Sequence, residues 1–521
     1  MNIRLNTLFL LACLALPWAV QAGEHPAYRC DRLYLLSEAG NAINPGVVVE
    51  ASEGVPAHCR VRGVIEGTMR FELRMPIEGW NGRFWFLAPG GLAGAIGDTT
   101  SLLDDGFAMS TTDSGHEGES DPTFHRDDFA QMNYGFRSNH LTAQLSRRII
   151  AEFYGREVEY AYLSGCSKGG HGALMEALRY PDDFDGIIAG APATEQVTDL
   201  LVWALENTRQ QKQHGLTPES VAVLDANSKR ACDLLDGAAD GIISNPKKCT
   251  LDRLELDKLE CRNGQTSGCL TAGQVDYARF IYTGITDETG EVIVPGVYPG
   301  AELGGDFELW ITGPVPFLPG SANDTTVEVL ENILHRDPTF DIDTFDTIKG
   351  IDQLIDATSA VTLPKPDFSG LMESGNKLII YNGWHDHPCR AAELEGFLSE
   401  ARALNARALD EHVRTFMVPG MVHCRGGPGA WAADYIGAIV DWVEKDIVPD
   451  RIIAEHPGDF TFLEAFAIAA GVNWGEEMMK AGEAQKDRKR FSRPLCPYPK
   501  YARYNGTGDI NDAANFTCIE D

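Results

Sequence analysis

The sequence predicts an α/β protein whose parallel sheet is interrupted by one large insertion. Three observations carry that reading. Short apolar runs alternate with helical stretches over residues 24–193, the rhythm is lost over about 194–365, and it returns from Lys377 onward. The expected organisation is a leader over 1–22, a core over 23–193, an insertion over 194–365 and a second core segment over 366–521.

The elements follow in order. Ala57 to Glu66 and Phe71 to Met75 read as strands, the second alternating apolar and charged side chains. Phe84 to Leu87 is a buried strand running into Pro89-Gly90-Gly91, and Phe107 to Ser110 is another before the loop Thr111 to His116. Tyr134 to Tyr154 has helical periodicity, Glu159 to Leu163 is a strand, and Gly169 to Tyr180 is a helix rich in Ala, Leu and Met. Gly186 to Ala189 is a strand ending in Gly190-Ala191-Pro192. The insertion opens with helical stretches (Leu200 to Gln211, Pro218 to Leu235), and residues 285–345 are rich in Gly, Pro and Asp without α/β alternation. Strand Lys377 to Trp384, helix Ala391 to Leu404, strand Val413 to Val418 and helix Trp431 to Val443 complete the core.

Residues 1–22 read as a cleavable export signal: Arg4, the apolar stretch Leu8 to Val20, then Val20-Gln21-Ala22. The apolar stretch is too short to span a bilayer, and Leu10 to Cys13 lies too early in it for a lipoprotein signal. The chain is therefore expected to be secreted or periplasmic. Its 44 basic and 76 acidic residues leave a net charge of −32, and loss of the leader removes one arginine more. Repulsion makes nucleic acids and anionic membranes poor partners. The sequence carries no signal for oligomeric state and none for an organic cofactor.

Export makes disulfides expected. Of twelve cysteines, Cys13 leaves with the leader. Proximity pairs Cys30 with Cys59, Cys232 with Cys249, Cys261 with Cys269 and Cys496 with Cys518. Cys166 then pairs with Cys424 across the chain, and Cys389 is left over. Spacing alone does not prove such connectivity.

Gly165-Cys166-Ser167-Lys168-Gly169 stands between a strand and a helix, the setting of a nucleophile elbow. A sharp turn there lifts the Ser167 hydroxyl above the sheet, and the Lys168 N–H at the helix start points at a developing oxyanion. A second donor belongs to the loop after an earlier strand, where Gly91 is the first choice and Gly90 the second. The competing reading is a glycine-rich β–α connection with a capping serine. A serine needs a histidine to take its proton and an acid to orient that histidine. His385-Asp386-His387 lies at a strand's C-terminal end, which places Asp386 as the acid. Among thirteen histidines, His423 is singled out by chain order, by its loop after a strand and by Cys424 beside it. A bridge between Cys166 and Cys424 would make Ser167 and His423 neighbours, because bonded cysteines keep their Cα atoms about 5.5 Å apart. His385 and His387 read as pocket-lining or solvent-facing, and a metal site built on them has no third partner.

Within the insertion, Cys232 to Ile242 is dense in oxygen ligands. Asp233, Asp236 and Asp240 offer carboxylates, and Ala238 and Ile242 offer carbonyls. The hard-oxygen set suits a structural calcium ion, although the spacing is not that of an EF-hand. The alternative is an acidic turn with Asp caps.

Taken together, Gly90-Gly91-Leu92-Ala93-Gly94, Ser110 to His116, Ser164 to Gly170, Gly190 to Ala193, Asn382 to Asp386 and Val418 to Cys424 resemble the tannase and feruloyl esterase family, which also contains mono(2-hydroxyethyl) terephthalate hydrolases. The likeness spans essentially the mature chain. It implies an α/β-hydrolase core with a lid and a Ser167–His423–Asp386 triad with Cys166–Cys424 bonded beneath it. It also implies a lid calcium site on Asp233, Asp236, Ala238, Asp240 and Ile242, and a small aromatic ester as substrate. Three departures stand out: Lys168 where a small residue or Glu is common, His171 where Arg is common, and His385 and His387-Pro388-Cys389 around the acid. A different class of function, a catalytically silent calcium-dependent extracellular binding protein on the same fold, is the alternative reading.

Overall fold

The computed structural model describes residues 26–456 and 490–520, apart from 120, 196, 314–319 and 335–341. The leader expected over 1–22 lies outside the described residues. The core is a ten-stranded sheet. Its first eight strands are β1 (Asn41–Ile43), β2 (Val47–Val49), β3 (His58–Ile65), β4 (Met69–Pro76), β5 (Arg83–Leu87), β6 (Ala108–Thr112), β7 (Tyr160–Cys166) and β8 (Gly186–Gly190). A hairpin, β9 (Gly284–Thr286) and β10 (Val292–Pro295), stands apart in the insertion, and β11 (Lys377–Gly383) and β12 (Val413–Val418) complete the sheet. The order across it is β1-β3-β4-β6-β5-β7-β8-β11-β12, with β2 also on β3.

The sheet is mixed rather than wholly parallel. β5, β6, β7, β8, β11 and β12 run parallel, whereas β1 to β4 pair antiparallel, and β4 joins β6 in the antiparallel sense. The reason is local. β3 and β4 are joined through Glu66 and Gly67, both at positive φ, and a connection that short can only reverse the chain.

Strand periodicity divides the core. Phe84, Phe86, Leu163, Ile187 and Ile380 face one side, under helices Ser138–Tyr154, Lys168–Arg179 and Ala391–Asn405. Trp85, Tyr162, Ile188 and Ile379 face the other, under helix Tyr435–Lys445 with Ile439 and Trp442. That last helix starts at Tyr435 and not at Trp431, because the Asp434 side chain caps it by accepting the Gly437 N–H at 2.7 Å. The insertion has its own apolar core, including Trp203, Leu224, Tyr277, Ile281 and Leu330. It contains a helix at Ser321–Leu334, within the stretch that showed no pattern in sequence.

All five expected disulfides form, and Cys389 is a buried thiol outside them. Among the described residues, no helix is long and apolar enough to cross a membrane.

Candidate active site

The loops that follow β5, β7, β8, β11 and β12 gather at the carboxyl edge of the parallel strands, where open α/β sheets place their sites. Ser167 lies between β7 and helix Lys168–Arg179 with φ 63° and ψ −121°. That is a strained conformation for a residue with a Cβ, and it persists because the surroundings fix both sides of the peptide. The Ser167 N–H donates to Gly190 O at 3.0 Å, and its carbonyl accepts from the His171 N–H at 2.9 Å. The flanking glycines are required by close approach. A Cβ on Gly165 would lie 2.5 Å from the Gly169 backbone, and one on Gly169 would lie 2.5 Å from Ala88 O.

β5 neighbours β7, and the Ala88 N–H donates to Ser164 O at 2.9 Å, so the Pro89-Gly90-Gly91 loop begins beside the elbow. Gly91 has φ +56° and Gly90 approaches Cys166 O. A buried and a half-buried side chain brace this loop: the Tyr134 hydroxyl donates to Gly91 O at 2.8 Å, and the His116 ring bonds Leu92 O at 2.7 Å. The Lys168 side chain folds inward as well. Its ammonium lies 4.4 Å from the Tyr134 ring centroid and 3.3 Å from Ser114 Oγ. Burial pushes this lysine down to about 7, with Glu176 opposing the shift.

On the far side, His423 Nδ1 lies 2.9 Å from Asp386 Oδ2 and 3.1 Å from Oδ1. Asp386 is buried and also accepts the Cys389 N–H at 2.8 Å. Burial alone would depress the His423 pKa, but the charge and hydrogen bond of Asp386, with Asp306 adding to them, outweigh it and hold the pKa above the usual histidine value. The Cys166–Cys424 bridge joins the two halves: its Cα atoms are 6.0 Å apart, and Cys424 Sγ lies 3.8 Å from His423 Nε2. No hydrogen bond joins Ser167 to His423 among the described residues; such bonds are often long without substrate and tighten when it binds.

The His-Asp-His run does not converge on one point. His385 Nε2 bonds Pro299 O at 3.1 Å, Asp386 turns to His423, and the His387 ring packs on Phe307 at 4.7 Å. Sequence reasoning missed three contributors: the Tyr134 brace, Trp310 edge-on to the His423 ring at 5.8 Å, and buried Asp306, which accepts the His423 N–H at 3.0 Å. Tyr134 and Trp310 read in sequence as ordinary helical and insertion aromatics, and Asp306 is one acid in a Gly- and Asp-rich stretch.

In the acidic loop, Asp233 accepts the Gly241 N–H at 2.8 Å, Asp236 that of Ala238 at 2.9 Å, and Asp240 that of Ile242 at 3.0 Å. Asp236 Oδ2 is buried without a well-formed hydrogen bond, and Ser244 lies close enough to favour the charged carboxylate. Burial raises Asp236 to about 6, with the charge of Asp240 adding to it, and burial likewise raises Asp233. Arg493 neutralises Asp240, and Ala238 packs with Cys496, Ala502 and Phe516, so the loop ties the insertion to the C-terminal strands. Oxygen donors of this kind suit a hard cation, but among the described residues the three carboxylates do not form a cluster whose ligand atoms converge on one ion, and Asp240 is already paired with Arg493.

The sheet order, the elbow after β7 and the loops at the strand ends define an α/β-hydrolase fold. Within that class the chain belongs to the tannase and feruloyl esterase family, which it matches over residues 54–519, and it is an ester hydrolase of that family. An uncharacterized esterase of Xanthomonas campestris is 30% identical over 99% of this chain and 96% of its own. The mono(2-hydroxyethyl) terephthalate hydrolase of Piscinibacter sakaiensis is 28% identical over 90% of this chain and 86% of its own. Feruloyl esterase B from Aspergillus oryzae superposes with a TM-score of 0.78 at 22% identity, covering 95% of this chain and 100% of that one. Tannin acyl hydrolase from Aspergillus niger superposes at 0.72 and 22%, covering 95% of each chain. These two likenesses show the fold.

Proposed function

We propose that this chain is an exported serine carboxylic ester hydrolase that cleaves esters of aromatic acids through an acyl-enzyme. The observation that carries the reading is the Cys166–Cys424 bridge, which seats the strained elbow Ser167 beside a histidine already paired with a buried aspartate. Neutral His423 takes the Ser167 hydroxyl proton as Oγ attacks the ester carbonyl. The N–H groups of Lys168 and of Gly91, with Gly90 as the second choice, receive the oxyanion. The imidazolium, stabilised by Asp386, returns the proton to the departing alcohol, and water then releases the acid by the same steps. The insertion acts as the lid, and Trp310 beside His423 suits an aromatic acyl group. Five disulfides and the leader read at residues 1–22 support a secreted or periplasmic location. Relatives named for feruloyl, tannin and terephthalate esters set the test: hydrolysis of matched feruloyl, galloyl and terephthaloyl esters against an aliphatic ester of the same alcohol. Preference for any aromatic acid supports the reading, and equal or better turnover of the aliphatic ester contradicts it.

The Tyr134 brace gives an expected result of its own. Tyr134→Phe keeps the ring under Lys168 and removes the hydroxyl that holds the Gly91 carbonyl. Loss of that one hydrogen bond should lower kcat about fivefold, with KM and melting temperature little changed. An unchanged kcat would remove Gly91 from the oxyanion account.

Asp233, Asp236 and Asp240, with the carbonyls of Ala238 and Ile242, would hold a structural calcium ion, which supplies positive charge to these carboxylates when bound. Chelation should lower the melting temperature and added calcium should restore it. Asp236→Ala should melt low with or without calcium. A melting temperature indifferent to chelator and calcium would leave the loop an acidic turn.

A further inference from the structure

A buried carboxyl group beside the acid–base pair has no role in the triad reading. Asp306 belongs to the insertion and directly precedes the π-helical turn Phe307–Thr312, yet it is fully buried against the core. Its Oδ2 accepts two backbone N–H groups, that of His387 at 3.3 Å and that of His423 at 3.0 Å. One of these residues follows Asp386 directly, and the other is the base itself. The same turn adds two ring contacts: Phe307 on His387 at 4.7 Å and Trp310 on His423 at 5.8 Å. The loops after β11 and β12 are thus held by a single short segment of the insertion.

The placement is electrostatically expensive, because a second carboxyl group lies close to Asp386 in a buried setting. Burial first, and the charge of Asp386 second, push Asp306 up to about 7, against the opposing pull of His423 and the two N–H donors. A backbone carbonyl could accept those N–H groups without that cost. What a carboxylate adds is charge facing the imidazole that must become positive during the reaction.

We infer that Asp306 is a positioning residue through which the insertion sets the catalytic histidine. One carboxylate holds the His387 and His423 backbones together, so docking of the insertion and assembly of the acid–base pair are a single event. The inference rests on the triad reading and goes beyond it, since it makes the insertion a structural part of the catalytic machinery.

The charge has a consequence with a definite sign. The titratable groups facing Asp306 are Asp386 and His423. His387 is kept neutral, pushed down to about 3 by burial with His385 and Arg390 adding to the shift, and its ring faces Phe307. His423 must be neutral to accept the serine proton, so activity is present above its pKa and is lost as pH falls through it. The Asp306 carboxylate raises that pKa, and removing its charge moves the acid limb to lower pH.

The test compares D306A and D306N, with S167A as control, in the full-length mature chain on an activated aryl ester across pH, each variant checked by its melting curve. D306A loses the one oxygen that accepts both N–H groups and should lose about tenfold to a hundredfold in kcat. D306N keeps an acceptor oxygen and should recover most of that kcat, while the acid limb of kcat/KM shifts down by roughly half a unit to one unit. A D306A kcat within twofold of the parent, or a D306N acid limb at the parent's pH, overturns the inference. Where D306A does not fold, the D306N acid limb alone decides. Activity surviving in S167A would instead overturn the triad reading, so the two failures are distinguishable.

Discussion

Ser167→Ala should abolish ester hydrolysis, with kcat falling by about four to six orders of magnitude while the fold and melting temperature are retained. The size follows from the division of labour. Residual activity would come from the oxyanion donors and substrate binding, since Ser167 is the group that forms the acyl-enzyme in this reading. The fold should survive because Ser167 is held by its backbone, through Gly190 O and the His171 N–H, and alanine leaves both bonds intact. His423→Ala should fall nearly as far, and the double variant hardly further, because the two residues act as one unit. The check is steady-state hydrolysis of an activated aryl ester by each variant. A Ser167→Ala enzyme within a hundredfold of the parent would contradict the account.

The second large effect belongs to the bridge. Cys166→Ala with Cys424→Ala removes a crosslink between positions 258 residues apart. Chain entropy assigns such a closure about 5 kcal/mol, which for a chain of this size corresponds to about 5 °C in melting temperature. The catalytic effect has a separate origin. Ser167 and His423 lie on loops from strands that are not adjacent, β7 and β12, with β8 and β11 between them. Without the bridge the relative position of nucleophile and base depends on packing alone, and a displacement of about 1 Å can cost a hundredfold in rate. A kcat loss of about tenfold to a hundredfold is expected, with KM changed much less. Mutation of both cysteines is preferable to reduction, which would also open the other four bridges. Full turnover together with an unchanged melting temperature would show that the bridge is ornamental.

The elbow, Asp386 and His423 were legible in sequence because each is marked locally. A G-x-S-x-G turn between strand and helix, and polar residues just past the end of an apolar run, need no knowledge of distant residues. The five disulfides are legible for a similar reason: four close short loops, and of the three cysteines then left Cys166 and Cys424 are marked by their places beside Ser167 and His423. The antiparallel half of the sheet was not. The alternation of a strand such as Phe71 to Met75 reports one face less deeply buried and not the strand's direction, which is fixed by the brevity of the turn at Glu66-Gly67. The sequence reading starts the last helix at Trp431, whereas the boundary is set three residues later by the Asp434 cap. Asp306 had no local mark at all. Its partners are 81 and 117 residues away, and its meaning comes entirely from where the insertion docks. Tyr134 likewise reaches a carbonyl 43 residues upstream.

The most direct test of the central claim is mass spectrometry of the protein after reaction with an aryl phosphonate or sulfonyl fluoride, which form stable adducts with an activated serine. One adduct per chain is expected, located on Ser167, absent from Ser167→Ala and strongly slowed in His423→Ala. No adduct on a chain that hydrolyses esters, or an adduct on a different residue, would contradict it.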